Sequence, residues 1–575
     1  MITCRQLLDE GFVEIAFASE SGTLYGARLT YSTDGGATYH PCAIYLDRGP
    51  DRLLASGFWE WNEAVQFGNV KFNGAPHTLY WNTFLNGVHA APATVIVRVE
   101  ALREHGIEAD ECTLALQTTR ARYWHAWQEG VAEGSGWRVE SGALTVEPGR
   151  EVAPFVVRPG LQGRYRVILG VPSGALHLWL RLRDEETRHP LIASQDRAAF
   201  AAKAHKEIAW RTVELQPEAA LEIRPIPTAI RHSELYPPGR IAYLKFVPEP
   251  PSTPRAAVRW ADKKLALYFE PYSWAFIYGL DSVGAVREAL SLYQEMGADE
   301  VHTQAIRFGS RALHHSRVAE HFSGTTAGDD GTHSTGPEQM VRALDVLRVT
   351  IDLCHEMGMT HYANAGLTNC YPGTSLEDKI SREHPEWRTG NILRYGFPET
   401  RAYAAAIVQE FIAWGTDGVT IDCMRYPYHH TEEELLLLFH EIRRAMDVAS
   451  PHRPIPLTVR IPAGDAVYYR VFQRLAQEGV IQCVIPSTIW ERLPLFSLRP
   501  YLKWRDYGCR VYGRIDGWEQ SLWGNHHLLL HPLDIRADIT RFLKEGADGI
   551  YVYQGDQHAG DAFTRDVLDW RKWGE

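Results

Sequence analysis

The feature that most constrains this chain is a run of about 300 residues in which short apolar segments alternate with segments of helical periodicity. The apolar segments are Trp274–Gly279, Glu300–Arg307, Thr360–Ala365, Gly418–Ile421, Pro456–Ile461, Gln482–Pro486, Arg510–Ile515 and Gly549–Tyr553. Between them, Val283–Met296, Pro337–Met357, Pro398–Trp414, Glu432–Val448, Ala466–Glu478 and Ile535–Glu545 carry the clearest helical spacing. Gly297, Gly358, Gly415, Gly479 and Gly546 follow five of these, where a helix stops in a left-handed conformation. Eight strands alternating with helices over this length predict a (β/α)8 TIM barrel. The rival is a doubly wound open sheet, but no GxGxxG fingerprint or P-loop opens the region.

The preceding residues read differently. Thr33-Asp34-Gly35-Gly36 and Asn73-Gly74 are hairpin turn signals. Val95–Glu100, Gly163–Ile168 and Leu176–Leu182 alternate with period two, and Ile241–Val247 reads as a closing strand. These predict β-sandwich modules ahead of the barrel. The expected division is a sandwich over 1–118, a second, carbohydrate-binding-like sandwich over 119–250, a proline-rich linker over 251–269, and the barrel over 270–575. At 575 residues the chain is well beyond what one core supports.

A net charge of −12 argues against a nucleic-acid partner. No apolar run of about 18 residues suggests a membrane span. The amino terminus has no signal-peptide pattern, so a cytoplasmic location is expected, or secretion if a leader has been removed. The eight cysteines are scattered and read as ordinary thiols, and no cofactor is expected. Eighteen tryptophans and 26 tyrosines fill sandwich and barrel cores, or provide faces on which sugar rings stack.

A barrel's interior is filled, so its chemistry sits at the carboxyl ends of the strands. Those ends supply Arg307, Asn364 and Asn369, then Asp422 and Arg425, then Arg460, then Trp490 and Glu491, then Asp516, Trp518 and Glu519, and finally Tyr553, Gln554 and Asp556. Asp422 directly follows the apolar Val419-Thr420-Ile421, with Arg425 on the same rim as its expected partner. Cleaving a glycosidic bond needs two carboxyl groups, one to protonate the leaving oxygen and one to attack or to activate water. Asp516 and Glu491 are the candidates to join Asp422 as catalytic residues, with Glu519 behind them. Arg307, Asn364, Arg425, Arg460, Trp490, Trp518, Glu519, Tyr553 and Gln554 are the candidate substrate contacts, and Trp523 adds a stacking wall. Any of these acids alone also suits a loop salt bridge, and the tryptophans also suit core packing.

His314-His315, His333, His429-His430 and His526-His527 fall in or near rim loops. Adjacent histidines diverge in extended chain and no HExxH is present, so no metal is expected and a metal-dependent hydrolase is the lesser alternative. No lysine stands at a strand end to form a Schiff base, which leaves a lyase or aldolase unsupported.

The segment Pro398-Glu399-Thr400-Arg401-Ala402-Tyr403, leading into Thr416-Asp417-Gly418-Val419-Thr420-Ile421-Asp422-Cys423-Met424-Arg425-Tyr426-Pro427, resembles the family-10-like glycosyl hydrolase-like barrel proteins. His384-Pro385-Glu386-Trp387 and Glu478–Ser487 are similar to two further family segments. The resemblance implies a sugar-active barrel with Asp422 in its site; the sandwich modules and the expected lack of a leader suggest a carbohydrate substrate imported as an oligosaccharide or glycoside. It does not fix the second carboxylate. Strand five ends in Arg460-Ile461-Pro462 without an acid, a departure from amylase-like enzymes. The reading from another class is a carbohydrate-binding barrel without catalysis. The gap between the two carboxyl groups sets the outcome: about 5–5.5 Å gives retention and about 6.5–9.5 Å gives inversion.

Overall fold

The computed structural model describes residues 2–17, 24–45, 60–62, 67–69, 77–89, 91–103, 106–125, 131, 135–146, 152–172, 176–193, 205–226, 239–250, 262–322, 326–327, 333–334, 336–425, 429–488, 495–516, 518–520, 527–529, 532–560 and 562–573. The chain divides into two compact units, residues 1–227 with 233–255, and residues 228–232 with 256–575. Among the described residues no helix is long and apolar enough to cross a membrane. All eight cysteines are free thiols.

The first unit consists of antiparallel sheets. One sheet joins Ile2–Leu7, Phe12–Phe17, His77–Asn82 and Ile44–Tyr45; another joins Gly106–Leu116, Ala93–Arg103, Leu24–Ser32, Phe67–Asn69 and Glu60–Asn62. Alternate residues from both sheets (Val13, Ile15, Phe17, Leu79 and Trp81 from one, Leu29, Tyr31, Val95, Val97 and Val99 from the other) meet in one core, as sandwich sheets do. The Asp34–Gly36 turn forms, with Gly35 and Gly36 at φ 73° and 93° and the Asp34 carboxylate accepting from Thr38. Asn73-Gly74 lies outside the described residues. Later strands form separate sheets. The expected strand Ile241–Val247 breaks at Ala242: Gly239–Ile241 pairs with Ala143–Val146, while Tyr243–Pro248 pairs with Arg122–Trp124 and Gly163–Pro172.

The second unit is a closed, eight-stranded parallel barrel, which rules out the open sheet. Its strands are β1 (Lys264–Phe269), β2 (Glu300–Arg307), β3 (Thr360–Gly366), β4 (Gly418–Asp422), β5 (Leu457–Pro462), β6 (Cys483–Ser487), β7 (Arg510–Ile515) and β8 (Gly549–Val552), paired in chain order and closed by β8 on β1. Seven of the eight expected segments are these strands. The first is not: Trp274–Gly279 belongs to helix α1 (Pro271–Tyr278), and β1 lies where a linker was expected. Pro271 occupies the first turn of α1, where its missing N–H costs nothing. The apolar run after it buries Trp274 against Tyr293, and periodicity alone does not separate a short buried helix from a strand. The expected helix Pro337–Met357 is likewise two, α2 (Gly336–Ala343) and α3 (Val346–Glu356), because the Asp345 side chain caps the second by accepting from the Arg348 N–H.

Candidate active site

Strand side chains alternate, so each strand aims every second residue into the barrel. Ala266, Tyr268, Cys483, Ile485, Tyr512 and Tyr551 form one interior cluster, with Tyr553 packed against it. His302 reaches across to the Thr420 hydroxyl at 2.8 Å. Continuing these alternations to the carboxyl ends brings up Glu270 after Tyr268, Asp422 after Thr420 and Tyr553 after Tyr551. The strand-end side chains line a cleft that includes Gln304, Arg307, Asn364, Asp422, Arg425 and Arg460.

Asp422 stands opposite Arg460 in the β4–β5 register, and that pairing supplies its cation. Arg460 Nη1 donates to Asp422 Oδ2 at 2.9 Å, while the Met424 N–H donates to Oδ1 at 2.9 Å. The bonded cation is therefore Arg460 from the adjacent strand rather than Arg425, the partner expected from the sequence. Arg460 is itself only 2% exposed and is fixed at two further points: Nε donates to Ser487 Oγ at 3.1 Å, and the guanidinium carbon lies 3.8 Å from the centre of the Tyr553 ring. Burial disfavours its charge, but Asp422 and the neighbouring tyrosines outweigh this and hold its pKa above the usual arginine range.

A second carboxylate, Glu270, follows β1 directly. Arg307 Nη2 donates to Glu270 Oε1 at 3.4 Å, and Ser273 Oγ donates to Oε2 at 2.9 Å. The same Arg307 nitrogen donates to Gln304 Oε1 at 3.1 Å, and the Tyr268 hydroxyl bonds that oxygen too. The absence of a side chain at Gly366 makes room for Arg307: a Cβ there would sit 2.7 Å from Arg307 Cγ. Tyr553 lies within electrostatic reach of both acids. Burial pushes its phenol up to about 12, with Arg460 opposing and Asp422 and Glu270 adding to the rise.

Asn364 Nδ2 and Thr368 Oγ1 of the cleft are buried without a hydrogen-bond partner among the described residues. Such groups carry a desolvation cost until a ligand or water satisfies them. Tyr371 and Asn369, on the loop after β3, hold φ of 49° and 89°, a conformation that is costly for side-chain-bearing residues and concentrates at functional sites.

The cleft thus brings together Asp422, Arg307, Asn364, Arg425, Arg460 and Tyr553 from the sequence-derived set. Asp516 does not line it. It is 1% exposed, its Oδ2 accepts from Arg514 Nη1 at 2.5 Å, and its backbone oxygen faces His558 Nε2 at 2.7 Å. Gln554 takes φ 55° with a buried Oε1, outside the cleft lining. Asp556 is 1% exposed and also absent from the lining. Glu491, Trp490 and Trp523 lie outside the described residues; Trp518 and Glu519 are in a short strand, Trp518–Gln520, whose side chains are not described. His314 is spent on the Ala305 carbonyl and Glu410, and His315 on the Val341 carbonyl. Glu270, Tyr268, Gln304, Thr368 and Tyr371 were missed. Tyr268-Phe269-Glu270 carries the same signal as Ile421-Asp422, an acid directly after an apolar strand.

No family model and no curated protein matches the chain. The family-10-like resemblance therefore rests on its residues alone. Among solved structures, it is similar to α-L-fucosidase isoenzyme 2 from Paenibacillus thiaminolyticus, with 15% identity over 54% of this chain and a TM-score of 0.36. That match spans 49% of the fucosidase's own length. A GH27 β-L-arabinopyranosidase from Geobacillus stearothermophilus matches with 14% identity, 54% of this chain, 75% of its own and a TM-score of 0.34. A GH18 chitinase from Pseudoalteromonas aurantia matches with 13% identity, 52% of this chain, 98% of its own and a TM-score of 0.30.

Proposed function

We propose that the barrel hydrolyses glycosidic bonds in a glycoside or oligosaccharide, with Asp422 and Glu270 as its two carboxyl groups. The observation that carries this reading is a strand-end carboxylate on β4 in the lining of a barrel cleft rich in hydrogen-bonding side chains, with a second, directly after β1, bonded to the lining residue Arg307. Hydroxyl-rich ligands suit such a lining, because Asn364 Nδ2 and Thr368 Oγ1 gain partners on binding.

The hydrogen bonds divide the roles. Both Asp422 oxygens accept, one from a guanidinium that has no proton to take back and one from a backbone N–H, so Asp422 acts as nucleophile or as the base that activates water. Glu270 is held more loosely, by a 3.4 Å contact and by a serine hydroxyl that either donates or accepts. In this reading it delivers the proton that the leaving oxygen needs. Arg460 and Tyr553 fix Asp422 in place, and Arg307 and Gln304 position Glu270. Asp516, locked to Arg514, has a structural role in this reading, and Glu491 is the competing acid.

A panel of aryl glycosides tests the proposal. Wild type turns over at least one member, and Asp422→Asn loses most of that turnover while keeping the wild-type far-ultraviolet spectrum and a cooperative melting transition. A wild-type protein that binds sugars but cleaves no member favours the binding-only barrel. An active Asp422→Asn variant removes Asp422 from the mechanism.

A further inference from the structure

Strand register lays out the floor of the cleft. Asn364 and Gly366 of β3 pair with Thr420 and Asp422 of β4, and Asn364, Gly366 and Asp422 all line the cleft. Asp422 therefore stands beside a residue without a side chain and diagonal to Asn364. Strand spacing and rise put such diagonal neighbours about 8 Å apart at their Cα atoms, a span that one small molecule between the side chains bridges. The space enclosed by the lining is about 20 Å³. One water needs roughly 10–15 Å³, and a sugar ring far more. The floor is thus a seat for a water, and the ring lies above it toward the mouth.

Both diagonal neighbours have hydrogen-bonding capacity to offer there. Asn364 Nδ2 is a buried donor without a partner among the described residues. Each Asp422 oxygen accepts one bond, from Met424 N–H or Arg460 Nη1, whereas an ionised carboxylate offers about four lone-pair sites. A water between them accepts from Asn364 Nδ2, donates to Asp422 and keeps a second lone pair for attack. Its position bears on the stereochemistry. In a retaining enzyme the carboxylate attacks the sugar itself, and the later water is activated by the acid that protonated the leaving group. In an inverting enzyme the water sits on the other carboxylate, the base. Here Asp422 lines the seat, while Glu270 is connected to the lining through its bond to Arg307.

From this, and resting on the glycosidase reading of the same cleft, we infer that Asn364 and Asp422 seat the attacking water and that hydrolysis inverts the anomeric centre. The water oxygen bonds to the anomeric carbon as the bond from that carbon to the leaving oxygen breaks. One water proton passes to Asp422, and the proton of Glu270 passes to the leaving oxygen. Exchange with solvent then restores both acids. Asp422 is the base of a single displacement, Asn364 positions the water, and no glycosyl-enzyme forms.

The test uses the full chain and the best substrate of the aryl glycoside panel. Proton NMR in D2O should show the opposite anomer of the product first, before mutarotation. Intact mass after incubation with the 2-deoxy-2-fluoro dinitrophenyl glycoside of the same sugar should show no adduct. A crystal structure of the free protein should place a water within hydrogen-bonding distance of Asn364 Nδ2 and an Asp422 oxygen. Asn364→Leu should lower kcat on the order of 10²-fold with KM within about threefold, and should lose that water. The retained anomer appearing first, a fluorosugar adduct on Asp422, a seat without water, or a wild-type kcat in Asn364→Leu overturns the inference. If that variant does not fold, the anomer and the water decide. The two proposals fail separately: turnover with retention sinks the inversion and leaves the glycosidase reading standing, while no turnover of any panel member sinks that reading and the catalytic role of the water with it.

Discussion

Replacing Arg460 by methionine should be among the most damaging single changes in the barrel, and part of the damage should be curable at Asp422. Methionine retains much of the stem's volume but strands Asp422, whose side chain is only 12% exposed. Removing one partner of a buried pair costs about 3–5 kcal/mol, mostly through the charge left behind. The partial exposure of Asp422 and its remaining bond from Met424 place the electrostatic loss near the lower end, about 3 kcal/mol. The lost Ser487 bond adds about 1 kcal/mol, and the lost contact with the Tyr553 face roughly as much again. Arg460→Met alone therefore costs about 5 kcal/mol. Adding Asp422→Asn removes the stranded charge and should return about 2 kcal/mol, a coupling that a double-mutant cycle reads directly. The assay is urea unfolding of the four proteins. Because the chain has two compact units, the transition followed is the one that moves in Asp422→Asn, which lies in the barrel. Costs of the two single variants that simply add in the double variant would refute the claim that the pair is a coupled unit.

Acidification should destabilise the barrel before its carboxylates titrate. Burial holds His361 near 3 and His430 and His558 near 4, against an unfolded value of about 6.5. The unfolded chain thus binds more protons between these limits, and stability falls as the pH drops below 6.5. At pH 5 each histidine costs about 2 kcal/mol, roughly 6 kcal/mol together relative to pH 7.5, and a flat stability over that window would contradict this. Gly366→Ala should displace Arg307, lowering kcat/KM on any substrate found by at least tenfold while the far-ultraviolet spectrum is unchanged; unaltered kinetics would show that the Arg307–Glu270 contact is dispensable.

The sequence was most readable where backbone rules act alone. Glycines after helices and apolar runs between them gave the barrel, because both signals are local. Asp422 stood out because Val419-Thr420-Ile421 is a strand by any reading and the next position must be its mouth. Glu270 obeys the same rule but was hidden. Leu265–Phe269 follows a proline-rich stretch, and the apolar helix Pro271–Tyr278 behind it offered a competing strand. One misplaced strand removed one acid from view. Asp516 shows the opposite error. It closes β7 with the inward parity of Tyr512 and Arg514, but Arg514, two residues earlier on the same face, claims its carboxylate. That pairing is visible in Arg514-Ile515-Asp516 once strand alternation is applied. The partnership of Asp422 with Arg460 is not, because it depends on the register between two strands some 40 residues apart.

The most direct test of the two-carboxylate account is the leaving-group dependence of Glu270→Gln, measured as kcat/KM beside Asp422→Asn on a dinitrophenyl and an alkyl glycoside of the same sugar. A general acid contributes about 10²–10⁴-fold where the leaving oxygen needs a proton and little where it is already a good leaving group. Glu270→Gln should therefore lose on the order of 10³-fold on the alkyl glycoside and less than about tenfold on the dinitrophenyl one. Asp422→Asn should be impaired on both. Equal losses on the two substrates for Glu270→Gln, or this selective pattern appearing in Glu491→Gln instead, would contradict the assignment of Glu270 as the acid.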